Sequence, residues 1–409
     1  MDAKERKIIG LSVGAHGLVH LFEGVLPPLI PLLLVRFHTD YFHIGLVVTA
    51  FSYAFGIGAL PTGFLADKIG PRRLVTLFLF GASLLSIAVW PVTAIWQSLW
   101  GYGIVMAGIG LFCSIYHPAA NTLLSLAMTR RGNAFGIHGI AGSTGVALVP
   151  LLSALIGSAL GWWTPHVIFG VFGIGAALYS LTIPDAPAVA DRPAASRKTA
   201  AGKDAAGTGL KIVLFLLSAT ALGLTYKGIM TFLPTYMGQR VQLAFLPANP
   251  VALGGIVATM ALLAGAWGQF VAGRLVDRYD AEKLYLVMVL AGMGFVFCMA
   301  FSRGVLLVGA TVIYAFFYFS TQPIQNFLVA RYFPRQRHGM GYGIHFTLTF
   351  GVGSTAAAVA GFLADRFGLA SVFIAMGGCF AVSAGMIALL ILSSRRPKPE
   401  TDQQRPRGA

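Results

Sequence analysis

The chain alternates long apolar stretches with short breaks that are basic, glycine-rich or proline-rich, and the stretches are too long and too evenly apolar for strands or surface helices. About 18 or more apolar residues, at about 1.5 Å each, match the roughly 30 Å hydrocarbon core of a bilayer. On that measure the pattern predicts membrane helices over residues 9–35, 44–66, 74–93, 98–126, 134–160 and 162–183. After a polar interval it predicts six more, over 210–237, 251–275, 283–302, 304–331, 339–364 and 368–394. The fold class expected is all-α and integral to a membrane, with twelve transmembrane helices. The first stretch carries Glu23 and three prolines and lacks a small-residue cleavage site, so it reads as a retained helix.

The two sets of six echo one another. Gly63 to Arg73 reads Gly-Phe-Leu-Ala-Asp-Lys-Ile-Gly-Pro-Arg-Arg, and about 210 residues later Gly273 to Asp280 reads Gly-Arg-Leu-Val-Asp-Arg-Tyr-Asp. His117-Pro118-x-x-Asn121 is answered by Gln322-Pro323-x-x-Asn326, and Gly136-Ile137-His138 by Gly343-Ile344-His345. Two parallel repeats of six helices are the layout of many secondary transporters. The organisation expected is a six-helix half over 1–183, a flexible linker over 184–209 rich in Ala, Pro, Lys and Arg, a second half over 210–394 and a tail over 395–409.

Composition agrees with a bilayer solvent: 56% of the 409 residues are hydrophobic and 11% charged, where a soluble domain has about a quarter charged. The net charge of +15 suggests a nucleic-acid partner until the basic residues are located. All but Arg36, Lys227, Arg240, Arg303 and Arg366 fall at the N-terminus, in loops 2–3, 4–5, 8–9 and 10–11, in the linker region or in the tail. That one-sided bias predicts a multi-pass protein of the cell (inner) membrane with both termini cytoplasmic, and no nucleic-acid partner. Cys113, Cys298 and Cys379 sit inside apolar spans and form no disulfide or metal framework. No phosphate-binding loop, zinc-ligand motif or nucleophile elbow is present, so neither an enzyme, a cofactor nor a metal is expected.

Charges inside a bilayer are costly, about 2.5–3.5 kcal/mol each on insertion scales, and mark candidate sites. Two qualify. Glu23 in helix one and Lys227 in helix seven both lie roughly 20–25 Å from the loop-rich face. They are repeat counterparts, since Phe22-Glu23-Gly24-Val25-Leu26 aligns with Tyr226-Lys227-Gly228-Ile229-Met230. Paired when empty, they separate if Glu23 takes a proton, which frees Lys227 for an anion. A fixed ion pair that merely orients two helices is the alternative. His16, His20 and Glu23 share a helical face at i, i+4 and i+7. Tyr53, Tyr116, His117, Tyr226, Gln322, Gln325 and Asn326 are expected to complete a polar, neutral-to-positive cavity, and histidine is a ready proton carrier. His138 and His345, near the starts of their helices, are assigned to a gate at the loop-rich face.

These features resemble the major facilitator superfamily across the chain from Ile9 to about Leu392, with its Gly-x-Leu-Ala-Asp-x-x-Gly-x-Arg-Arg loop signature nearly complete at Gly63 to Arg73 and partial at Gly273 to Lys283. The resemblance implies the major facilitator fold, helices one and seven lining a central cavity, a monomer, and a latch built from Gly63, Asp67, Arg72, Gly273, Asp277 and Arg278. The similar run Gly361 to Gly368 falls on the opposite face and is treated as a helix boundary. Val19-His20-Leu21-Phe22-Glu23, Tyr116-His117-Pro118 and Arg131-Gly132-Asn133-Ala134 resemble the fosmidomycin resistance branch. Where that branch carries Gly-Pro in helix five this chain has Val149-Pro150, which points away from the usual drug/proton antiporter. The function expected is a proton-coupled secondary transporter that moves a small organic anion or zwitterion by alternating access. The second candidate is a multidrug or amphipathic-compound efflux pump; a membrane receptor or intramembrane enzyme lacks the output domain or catalytic set.

Overall fold

The computed structural model describes residues 1–183, 205–242, 249–333 and 338–394, with the side chains at 60, 63–64, 66–68, 131–132, 205–208, 338–339 and 394 left aside. It is helical throughout these residues, and twelve helices are long and apolar enough to cross a membrane. They are α1 (Ala3–Phe37), α2 (Tyr41–Ile69), α3 (Pro71–Trp96), α4 (Leu99–Ala127), α5 (Arg131–Leu160) and α6 (Thr164–Leu181). The second six are α7 (Ala205–Arg240), α8 (Pro250–Leu275), α9 (Ala281–Phe301), α10 (Gly304–Tyr332), α11 (Met340–Phe367) and α12 (Ala370–Ser394). Most of the linker and all of the tail lie outside the described residues.

Short polar residues start the helices where the pattern breaks. Asp2 and Glu5 form a capping box at α1, Asp40 caps α2 through the His43 N–H at 2.8 Å, and Asn249 followed by Pro250 opens α8. Prolines then interrupt helices where function needs room. Pro118 cannot donate to Ser114, and α4 is broken at Ser114–Ile115. Pro27 and Pro28 cannot donate to the carbonyls of Glu23 and Gly24, and α1 is interrupted at Val25. Main-chain acceptors are thereby released at the level of the one acid in mid-membrane. α10, by contrast, runs through Pro323 as one helix. α11 has its irregularity instead, a π-helical turn at Thr347–Gly351 followed by a 3-10 turn.

Within each half, α1, α3, α4, α5 and α6 pack around one core and α7, α8, α9, α10 and α12 around the other; the halves meet along α2–α11 and α5–α8. Call the face where odd-numbered helices begin proximal and the other distal. The distal half of the seam is closed. A Cβ on Gly45 would collide with the Ala357 carbonyl and one on Gly361 with the Tyr41 main chain, so only glycine allows this approach. Thr49 donates to the Ser354 carbonyl at 3.0 Å and the Leu151 N–H to Thr259 Oγ1 at 3.1 Å. The proximal half is open: at Gly136, Gly139 and Gly273 a Cβ would meet nothing within 4 Å among the described residues. A cleft of about 580 Å³ separates α5 from α8 there, lined by Ile140, Ser143, Leu263, Trp267 and Phe270.

Candidate functional site

The ion pair between the halves is the centre of the site. Lys227 Nζ donates to Glu23 Oε1 at 3.1 Å, and the side chains are 10% and 19% exposed. His20, one turn earlier on α1, donates Nδ1 to the other carboxylate oxygen at 3.3 Å. Tyr226 flanks the ammonium, its ring centroid 5.8 Å from Nζ. Glu23 is thus held by a base from its own half and a cation from the other, so removing either changes how the halves are joined.

This layer divides two spaces. On the distal side lies a chamber of about 80 Å³ walled by Glu23, Gly24, Pro27, Phe51, Met230 and Pro234. Its size suits two or three waters at about 30 Å³ each. The hydroxyl of Ser52 lines it and has no hydrogen-bond partner among the described residues. On the proximal side lies a vestibule of about 350 Å³ bounded by His20, His117, Tyr226, Gln322, Gln325 and His345. His20 and Tyr226 belong to both walls, which makes the ion-pair layer the floor of one and the roof of the other.

The proposed cavity residues fall largely together. His16 stacks on His138 at 3.9 Å between centroids and donates Nδ1 to the His138 carbonyl at 2.7 Å. Ser12 bonds His138 Nδ1 at 2.7 Å, and Tyr116 donates to the Ser12 carbonyl at 2.8 Å. Gly142 and Gly145 of α5 allow this approach, abutting His16 and Gly17. In the second half Gln269 donates to Gln322 at 2.8 Å, Gln325 to Tyr285 at 2.9 Å, and His345 Nε2 bonds Gln325 Oε1 at 2.9 Å. Asn326 lines the same wall and its carbonyl accepts from Tyr342 at 3.1 Å.

Other predicted residues lie elsewhere. Tyr53 does not join the cavity: it is 37% exposed on the stripe of Ile57, while Val48, Phe51 and Ser52 line the chamber and Phe55 faces α11. The helical period rotates position 53 off the inward face. His345 lines the vestibule wall, while His138 is buried between Ser12 and His16. Asp280 caps α9, accepting from the Lys283 N–H at 2.9 Å, and Asp277 and Arg278 stand exposed beside Gly273. Arg72 starts α3, and the side chains of Gly63 and Asp67 lie outside those described.

Sequence reasoning missed Asp365. Its carboxylate accepts from the main-chain N–H of Tyr41 at 3.0 Å and Phe42 at 2.8 Å, clamping the N-terminus of α2 from the end of α11. The run Gly361-Phe362-Leu363-Ala364-Asp365 repeats Gly63-Phe64-Leu65-Ala66-Asp67 letter for letter, and that identity was the signal. Asp365→Asn is expected to weaken the distal seal by about 1–2 kcal/mol. A cysteine placed at Ser52 in a background without native cysteines then reacts roughly tenfold faster with an impermeant thiol reagent from the distal side; an unchanged rate contradicts the clamp.

The family model for the Major Facilitator Superfamily matches residues 13–344 and 248–409. The uncharacterised MFS-type transporter YqjV of Bacillus subtilis (strain 168) is 29% identical over 224 residues, 53% of this chain and 52% of its own length. The probable L-galactonate transporter of Escherichia coli (strain K12) is 29% identical over 133 residues, 32% of this chain and 28% of that protein. The chain thus spans about half or less of these two relatives. YfnC of Bacillus subtilis, another uncharacterised MFS-type transporter, is 25% identical over 95% of this chain and 93% of its own. Among solved structures, the nucleoside transporter NupG superposes with a TM-score of 0.78 at 17% identity, covering 94% of this chain and 99% of that one. An inward-facing, unoccupied bacterial homologue of the human lysosomal transporter Spinster gives 0.76 at 14% identity, covering 98% and 100%.

Proposed function

Since the chain belongs to the Major Facilitator Superfamily, we propose that it is a proton-coupled secondary active transporter carrying a small organic anion or zwitterion by alternating access. The observation that carries this reading is the Glu23–Lys227 pair, which joins the halves at the layer between a distal chamber and a proximal vestibule. Protonating Glu23 removes the partner of a cation with little access to water, and an anion reaching the chamber that Lys227 lines is the natural replacement. A small substrate agrees with the volumes, since the chamber of about 80 Å³ falls below and the vestibule of about 350 Å³ at the low end of the 300–1,000 Å³ typical of sites for drug-sized ligands.

Alternation would use two latches of the same chemistry. Asp365 caps α2 in this state; in the opposite state Asp67, with Gly63 and Arg72, would hold the proximal end of α11, and Gly273, Asp277 and Arg278 the corresponding junction in the second half. With the positive-inside bias the proximal face is cytoplasmic, both termini lie in the cytoplasm, and the state described here opens inward in the cell membrane. The protein is taken as a monomer in the bilayer, with a small-molecule substrate and protons as partners and no nucleic acid. The motifs around His20 and His117 favour the fosmidomycin resistance branch.

The α5–α8 cleft, walled by Trp267 and Phe270, favours a second reading, export of amphipathic compounds entering from the bilayer. Proteoliposomes decide. With an imposed pH gradient, the first reading expects accumulation of a labelled organic anion that collapses with a protonophore; gradient-driven movement of lipophilic cations alone supports the second.

A further inference from the structure

We propose that His16, His20 and His117 form a binding site for a divalent transition-metal ion of borderline softness, such as zinc or cobalt, at the vestibule side of the ion pair. One ring nitrogen from each lies within 4.8 Å of the other two. Zinc holds imidazole nitrogens at about 2.0–2.1 Å, which sets tetrahedral ligand atoms about 3.4 Å apart. The rings therefore need to close by about 1 Å, a small rotation for side chains whose centroids already stand 5.1 to 5.7 Å apart.

The surroundings are those of ligating histidines. His16 gives its Nδ1 hydrogen to the His138 carbonyl, which leaves Nε2 as a lone-pair donor. His20 gives Nδ1 to the Glu23 carboxylate, which leaves its Nε2 likewise. A carbonyl on one ring and a carboxylate on another are the outer partners that fix tautomer and raise basicity in metal sites. His138, stacked beneath His16, fixes that ring's plane. The third imidazole is the most telling, since His117 makes no hydrogen bond among the described residues although it lines the cavity.

Three imidazoles without a thiolate suit zinc, cobalt, nickel or copper and not calcium or magnesium, which require several oxygen ligands. His20 and His117 both face the vestibule, so an ion enters from there and keeps its fourth position open to it. The Gln325, Gln322 and Tyr226 side chains on the far wall are neutral and do not repel it. The site needs Glu23 ionised, as it is when paired with Lys227, and needs no anion at the lysine.

The test uses the full chain in detergent, freed of any affinity tag, stripped with a chelator and titrated with Co²⁺. The expected result is visible d–d absorption that saturates near one equivalent and is displaced by Zn²⁺. His20→Gln and His117→Gln should each weaken binding at least about 100-fold, while His43→Gln at the distal face leaves it unchanged. Absence of absorption in the wild-type protein, or binding that survives both substitutions, overturns the proposal. Should a variant fail to fold, X-ray absorption at the cobalt edge of the wild type decides: two or three imidazoles in the shell support the site, and an all-oxygen shell refutes it.

Discussion

Lys227→Ala is expected to abolish anion binding and to lower stability together. The lysine lines the distal chamber and pairs with Glu23 at the layer shared with the vestibule, and its removal leaves that layer without its fixed positive charge. A charge-assisted contact is worth about 1.5–3 kcal/mol, so affinity for an anionic substrate should fall roughly 10–100-fold. Breaking a buried pair from one side costs about 3–5 kcal/mol because the other charge is stranded. The low end applies here, since Glu23 is 19% exposed and keeps His20 at 3.3 Å. Uptake into proteoliposomes and thermal unfolding measure the two effects, and Lys227→Arg should recover stability more than transport, because a planar fork replaces a point charge.

Glu23→Gln is expected to separate binding from coupling. The amide copies the protonated acid in shape and charge, so it fixes the protein at the step at which Lys227 is released. Anion affinity should hold or rise, and exchange of labelled for unlabelled anion across the membrane should continue. Accumulation driven by a pH gradient should be lost. A variant that still concentrates substrate with the gradient would move the coupling proton to another group, with His20 and His117 the first to examine by the same substitution.

What the sequence made legible follows from the physics of its signals. The twelve spans stood out because a bilayer imposes a minimum apolar length, and observed bounds differ from the expected ones mainly at capped ends, as where Asp2 starts α1 at Ala3. Glu23 and Lys227 stood out because a charge inside an apolar run is expensive, and their equivalent depth was readable from the repeat. Their 3.1 Å contact was not, since it depends on how two halves meet. Tyr53 was misplaced because a tyrosine at the right depth says nothing of helical phase, which Ile57 and Phe51 on either side settle only once α11 is in position.

Two other features required the fold. His16 and His20 have the i, i+4 spacing of a ligand pair, but His117, on another helix, completes the group only through the break in α4. Asp365 looked like the end of a helix and became a clamp because α2 begins against it. Its twin at Asp67 was recognised because it lies among arginines.

The most direct test of the account is thermal unfolding of the purified protein across a panel of small organic anions and lipophilic cations, with Lys227→Ala and Glu23→Gln measured alongside. The account predicts that certain anions stabilise the wild type and Glu23→Gln but leave Lys227→Ala unmoved. Stabilisation by lipophilic cations alone, lost in Glu23→Gln and kept in Lys227→Ala, would contradict it.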